Sequence, residues 1–301
     1  MELHQLRYFI SIVETGSFSK AAKRCHVAQP SLSQQIIKLE RELKSKLFDR
    51  LGNKVVLTEA GTALLPRAKR ILQEASEVKT DIADEKNIGT GSIGVGFITT
   101  IAPYILPASL KKFKTKFPAA EIKVYENLTE NLIDKLIAFE IDIAIMSLPI
   151  ENGLIGYNEL FYDPLVLSLP KSFKLSKQKN VSINDLENVP FVELDEEHCL
   201  GEQIKGICYQ KQMTPKVVCK TWNISTILNC ISTGTGISII PLMTALTNKS
   251  KNYSYKKLAE NPSRAVVSAY YKKRTRKKLA AEFEKIAAGV YHDLIIKNPI
   301  F

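Results

Sequence analysis

Two thiols stand out in His198-Cys199-Leu200-Gly201-Glu202-Gln203-Ile204-Lys205-Gly206-Ile207-Cys208. A pair of cysteines can lose two electrons together and become a disulfide. Here the spacing makes that difficult. Leu200, Ile204, Ile207 and Cys208 follow amphipathic helical spacing, so the segment is expected to form a helix. Nine helical residues separate the two thiols by roughly 13 Å and place them on opposite faces. A disulfide needs Cα atoms within about 7 Å. The bond therefore requires the helix to unwind, and oxidation would select a different fold of this region. Cys199 is the expected first reactant, because it follows an apolar strand pattern and opens the helix, where partial positive charge favours thiolate. His198 and Lys205 add to that effect, whereas Asp195, Glu196 and Glu197 oppose it. Peroxide would convert the thiolate to sulfenic acid, which Cys208 can resolve. The competing reading is that both cysteines are small packing residues. Cys25, Cys219 and Cys230 are assigned that role, each lying in an apolar pattern with no partner in view.

The elements that position these thiols belong to a longer plan. Leu6, Phe9, Ile10 and Val13 define one amphipathic helix, which Gly16 ends before Ser17 caps the next. Ala21, Ala22 and Cys25 face inward on the second helix. Gln29-Pro30 opens a third, with Pro30 suited to its first turn and Leu32, Ile36, Leu39 and Leu43 as its buried stripe. Gln29, Ser31, Ser33, Gln34 and Lys38 lie on its other faces. Hydroxyls and amides at a helix start can hydrogen-bond base edges and phosphates in the major groove. Arg50, the Gly52-Asn53 turn and residues 54–57 read as a small β-wing with basic flanks.

Thr58 is positioned to cap a long helix reaching about residue 85. Leu64, Ala68, Ile71, Ala75, Val78 and Ile82 recur four and three apart along it, a heptad seam that suits self-association. Residues 87–91 read as a hinge. Beyond it, strand patterns at 93–97, 122–125, 141–145, 165–169, 191–194, 217–219 and 236–241 alternate with helical ones. This alternation predicts a mainly parallel sheet covered by helices.

The chain has 301 residues, with 42 Lys+Arg against 31 Asp+Glu and a net charge of +11. Such a surface suits a polyanion. No apolar run approaches the roughly 20 residues of a membrane span, and the first residues lack the pattern of a signal peptide. The expected location is cytoplasmic, without membrane association. Five cysteines in a reducing compartment are not a disulfide framework, and no spacing suggests a metal. No cofactor is expected.

Ser17-Phe18-Ser19-Lys20-Ala21-Ala22, Gln29-Pro30-Ser31-Leu32-Ser33-Gln34-Gln35-Ile36, Leu47-Phe48-Asp49-Arg50 and Leu57-Thr58-Glu59-Ala60-Gly61 resemble the winged helix-turn-helix and linker of LysR-type transcriptional regulators. The resemblance covers nearly the whole chain. It implies an α/β protein with an N-terminal winged helix-turn-helix at 1–58 and a long linker helix and hinge at 59–90. A two-subdomain, periplasmic-binding-protein-like regulatory domain follows at 91–301. Subdomain I would span about 91–161 and 266–301, and subdomain II about 162–265, with chain crossings near 161–165 and 264–271. Implied partners are double-stranded promoter DNA, RNA polymerase and further copies of the chain, as a homodimer or homotetramer.

His198-Cys199-Leu200, Gln203, Gly206, Cys208 and Cys25-His26-Val27 resemble the peroxide-sensing members of that family. That resemblance implies hydrogen peroxide as the signal and threonines, here Thr100 and Thr129, that hold it near Cys199. Hydroxyls suit the task because each donates and accepts. Both positions also fit helix caps. Arg264 resembles an arginine near the site in some relatives. Gly201, Glu202, Ile207 and Val218 depart from the pattern, standing where relatives carry arginine, aspartate, an aromatic residue and histidine. Losing the arginine is expected to slow the first oxidation or shift its pKa, and Arg264 is placed to compensate. Two other functions compete with a peroxide-sensing regulator. One is a LysR-type regulator of a small metabolite bound between the subdomains. The other is a thiol peroxidase, against which the DNA-binding module and heptad linker argue.

Overall fold

The computed structural model describes residues 1–51, 54–84, 89–178 and 180–298. The wing turn Gly52-Asn53, the side chains of Arg50 and Ile82, and hinge residues Asn87 and Ile88 lie outside what is described. The chain divides into two compact units, one of residues 1–87 with 138–140, the other of 88–137 with 141–301.

In the first unit, α1 (Leu3–Thr15), α2 (Phe18–Arg24) and α3 (Gln29–Leu43) precede a hairpin of β1 (Phe48–Leu51) and β2 (Lys54–Leu57) and the long α4 (Glu59–Asp84). Gly16 ends α1 in the left-handed region at φ 62°, and the Ser17 hydroxyl accepts from the Lys20 amide. Leu6, Phe9, Ile12, Ala21, Ala22, Leu32, Ile36 and Leu39 fill the core. Leu43 departs from the expected stripe. It is exposed, because α3 ends there and the chain turns at Lys44 with φ 51°. Thr58 caps α4 by accepting from the Gly61 amide at 3.0 Å. A Cβ at Gly61 would sit 2.2 Å from the Leu47 carbonyl oxygen, so only glycine allows this approach of α4. The heptad seam divides: Ala68 is buried and Leu64 and Ile71 pack on this same core, whereas Val78 is 56% exposed.

The second unit begins with β3 (Ser92–Ile98), α5 (Ala102–Lys116), β4 (Glu121–Asn127), α6 (Thr129–Ile137) and β5 (Ile143–Ser147). The long β6 (Ile155–Pro170) leads out to β7 (Pro190–Leu194), α7 (Cys199–Gln210), β8 (Lys216–Thr221), α8 (Ile224–Ser232), β9 (Ser238–Pro241), α9 (Leu242–Thr247) and β10 (Tyr253–Lys257). The chain returns along β11 (Ser263–Tyr271) and ends in α10 (Lys278–Lys297). The main sheet runs β10-β6-β11-β5-β3-β4, with β9 also on β6.

The expected mainly parallel sheet is in fact mixed. β3 is parallel to β4 and β5, and β7 to β8, but β11 is antiparallel to β5 and β6, and β6 is antiparallel to β9 and β10. The reason is topological: a chain that leaves one subdomain along β6 and comes back along β11 must place those strands in opposite directions. Two cores flank this crossing. One gathers β3, β5, α5 and α10 around Phe97, Phe113 and Phe283; the other gathers Leu167, Phe191, Ile227 and Ile239.

Candidate functional site

α7 presents two stripes. Leu200, Ile204 and Cys208, four apart, enter the second core, while Cys199 packs against the first. Gln203, one turn beyond Cys199, reaches the same side. Its Nε2 donates to the Ser147 hydroxyl at 2.9 Å and to the Leu148 carbonyl, while its Oε1 has no partner. The two thiols thus sit in different cores on opposite faces of one helix, as far apart as a nine-residue helical separation implies.

Cys199 is the first residue of α7 and is half-buried. Burial pushes its pKa up. The Arg264 charge, a contact with the Thr129 hydroxyl and the α7 backbone pull it down, and Glu202 opposes them. The Thr129 hydroxyl is buried and otherwise without a partner. Cys208 is fully buried, and burial with the nearby Glu193 charge pushes its thiol up to about 11.

Arg264 is wholly buried on β11. Its Nε donates to Asp163 Oδ2 at 3.1 Å, Nη1 to the Thr100 hydroxyl at 2.9 Å and Nη2 to the Thr100 carbonyl at 3.2 Å. Asp163 lies opposite on β6 and also accepts from the Met243 amide and the Tyr291 hydroxyl. Burial raises the Asp163 pKa, and Arg264 works against that. Thr100 therefore holds the guanidinium, and Thr129 is the hydroxyl that lies against the thiol. Asp163 and Tyr291 were not expected from sequence. The usable signal was a carboxylate within the apolar run 160–167, where an unpaired charge is costly.

His198 precedes α7. Its Nδ1 is 3.1 Å from the Thr99 hydroxyl and its ring meets Trp222 edge-on. Burial lowers its pKa, so it is neutral near pH 7 and supplies no cation to Cys199. Lys205 also differs from expectation. It pairs with Glu196 at 3.1 Å, on the exposed side of the helix. At Gly201 a Cβ would lie 2.5 Å from the Asp195 carbonyl oxygen and 2.6 Å from that of Leu194. Any side chain at this position would lift α7 off the strand end, which gives a physical reason for glycine. In front of Cys199 opens a cavity of about 720 Å³ whose lining includes Glu130, Asp134, Glu151, Glu196, Glu197 and Glu202. Ile207 packs on the second core and Val218 is exposed on β8.

Cys219 and Cys230 are half-buried and pack on the second core.

On the DNA-binding unit, Gln29, Pro30, Ser31, Gln34 and Lys38 are exposed on α3, and Ser33 is half-buried. The polar groups cluster on the first turns of α3, where free backbone amides add donors.

A winged helix-turn-helix, a long helix after it and a two-core α/β unit with a half-buried thiol between the cores define a transcription regulator. The chain belongs to the LysR family: residues 3–62 match its bacterial regulatory helix-turn-helix and residues 87–289 its LysR substrate binding domain. It is 27% identical to the DNA-binding transcriptional dual regulator OxyR of Escherichia coli, over all of both chains. Full-length OxyR from Pseudomonas aeruginosa superposes with a TM-score of 0.74 at 27% identity, covering 100% of this chain and 96% of that one. A hydrogen-peroxide-bound mutant of Corynebacterium glutamicum OxyR gives 0.68 at 26% identity, covering 98% and 94%.

Thr129→Val keeps the shape of the site but removes the hydroxyl beside the sulfur. The rate of Cys199 oxidation is expected to fall about tenfold, the value of one hydrogen bond of ~1.4 kcal/mol in the transition state. Stopped-flow oxidation measures this, and an unchanged rate would leave Thr129 only a residue of the α6 start.

Proposed function

We propose that the chain is a DNA-binding regulator that detects hydrogen peroxide by oxidation of Cys199 and disulfide formation with Cys208. The observation that carries this reading is the setting of Cys199: a half-buried thiol near a buried cation, with a buried hydroxyl that has no other partner, on a helix whose far face holds a second, buried thiol. The Cys199 thiolate attacks one peroxide oxygen, the O–O bond breaks, and hydroxide leaves as water after taking a proton, giving Cys–SOH. The Cys208 sulfur then attacks that sulfenic sulfur, and a second water leaves. Thr100, Thr129, His198, Gln203 and Arg264 form the surround of the first step. Stoichiometric peroxide followed by mass-spectrometric thiol mapping tests it. A Cys199–Cys208 bond supports the reading; its absence would favour a regulator of a metabolite bound between the subdomains.

The output is promoter DNA, held by a homodimer or homotetramer that communicates with RNA polymerase. Gln29, Ser31, Ser33, Gln34 and Lys38 form its reading face, with Pro30 setting the helix start and Arg50 on the wing. Gln34→Ala should reduce discrimination against wrong bases by about 1–3 kcal/mol at its position. Arg50→Ala should weaken all sequences alike and lower the salt slope by about one. Quantitative binding to operator and scrambled duplexes separates these effects, and unchanged behaviour in both variants would remove α3 and the wing from the interface.

A further inference from the structure

We infer that the Cys199 site selects uncharged peroxides and holds off anionic oxidants, through carboxylates on the walls of the cavity that leads to the thiol. This deepens the peroxide-sensing reading and rests on it. Cys199 lines a cavity of about 720 Å³, and Thr129, with its buried hydroxyl, lines it too. An oxidant that reaches the sulfur from this side crosses that space. The walls come from three stretches of chain. The start of α6 contributes Glu130 and, one turn on, Asp134; the loop after β5 contributes Glu151; the approach to α7 and its first turn contribute Glu196, Glu197 and Glu202. Among the described residues no lysine or arginine lines the cavity.

Glu196 is set aside, because Lys205 and Lys220 hold it at 3.1 and 3.0 Å. The other five are exposed, and no described cation pairs with them. Arg264 is not part of this wall; it is wholly buried and paired with Asp163 at 3.1 Å. Charges of one sign around a concave space add, so their field lowers the local concentration of an anion and leaves a neutral molecule unaffected. The chemistry at the sulfur is common to both classes. With hydrogen peroxide, the thiolate takes one oxygen, the O–O bond breaks and hydroxide leaves. With peroxymonosulfate, a small monoanion, the thiolate takes the terminal hydroxyl oxygen, the O–O bond breaks and sulfate leaves. Each gives Cys–SOH, so approach alone carries the selection.

The full-length Cys208→Ser protein confines the reaction to this first step. Loss of reduced Cys199 is timed by alkylation and peptide mapping, with hydrogen peroxide and with peroxymonosulfate at low ionic strength. The readout is the ratio of the peroxymonosulfate rate to the peroxide rate. A change in the thiolate fraction of Cys199 alters both rates alike and divides out. Adding Glu130→Gln/Asp134→Asn/Glu151→Gln should raise the ratio about threefold or more, because exposed charges act within a Debye length at low salt. Glu42→Gln/Glu121→Gln/Glu187→Gln makes the same change of charge outside the lining and should leave the ratio where it was. Added salt should raise the ratio in the parent, the opposite sign to that expected from the chain's net charge of +11. A ratio unmoved by the lining variant, raised as much by the control, or lowered by salt would overturn the selection and leave peroxide sensing intact. Failure of hydrogen peroxide to oxidise Cys199 at all would instead remove the sensing reading, and the selection with it.

Discussion

Cys199→Ser is expected to abolish the response to peroxide, whereas Cys208→Ser should stop it one chemical step later. The first variant lacks the sulfur that meets the oxidant. The second retains Cys199, its Thr129 contact and the Arg264 charge, so sulfenic acid should form and persist because no second thiol reaches it. Trapping with a sulfenic-acid reagent distinguishes the two proteins. The initial rate should also rise with pH, about tenfold per unit below the Cys199 pKa, because only thiolate attacks and burial raises that pKa. A Cys208→Ser protein oxidised at a second residue instead, or a Cys199→Ser protein that still responds, would contradict the chemical order.

The second large effect belongs to Arg264→Met. The variant leaves Asp163 buried with no counter-charge, a loss typically of about 3–5 kcal/mol. Asp163 already has a raised pKa through burial, and removing the guanidinium raises it further. The sign follows from linkage: the folded state then binds a proton that the unfolded chain releases, so stability is present at low pH and is lost as pH rises towards the folded pKa. Adding Asp163→Asn should recover most of the stability by replacing the buried charge with an amide. It should not recover the chemistry, since the cation that favours the Cys199 thiolate is still missing. Oxidation is expected about tenfold slower in both variants, corresponding to about one pKa unit. Urea titrations and stopped-flow rates test the two halves separately. A double variant that oxidises at the wild-type rate would show that Arg264 serves the fold alone.

Local pattern carried much of this account. The spacing of Leu200 and Ile204 predicts α7, and the helix follows. Gly16, Ser17 and Thr58 mark helix ends by their own backbone and capping chemistry. What sequence did not convey is non-local. Strand direction is absent from hydrophobic periodicity, so the mixed sheet became visible only when β6 and β11 were seen to pair in opposite directions. Asp163 and Arg264 lie on those strands and meet only through that register. Lys205 was drawn towards Cys199 by proximity along the chain, but its place on the helix directs it to Glu196. Periodicity also cannot register the bulge between Phe191 and Val192, which pairs Cys219 rather than Val218 with Val192.

The central claim is that peroxide breaks α7 in order to join its two thiols. Leu200, Ile204 and Cys208 are buried in the reduced protein, and closing the bond must remove at least part of that stripe from the second core. Burial of a Leu or Ile side chain is worth about 1.5–3 kcal/mol, so the rearrangement should loosen the whole helix and not one bond alone. Hydrogen exchange read by mass spectrometry on the peptides covering residues 199–210, before and after one equivalent of peroxide, measures this directly. The account predicts protected amides in the reduced protein, lost protection in the oxidised one, and no change in Cys208→Ser. A mapped Cys199–Cys208 disulfide with the α7 amides protected as before would contradict it.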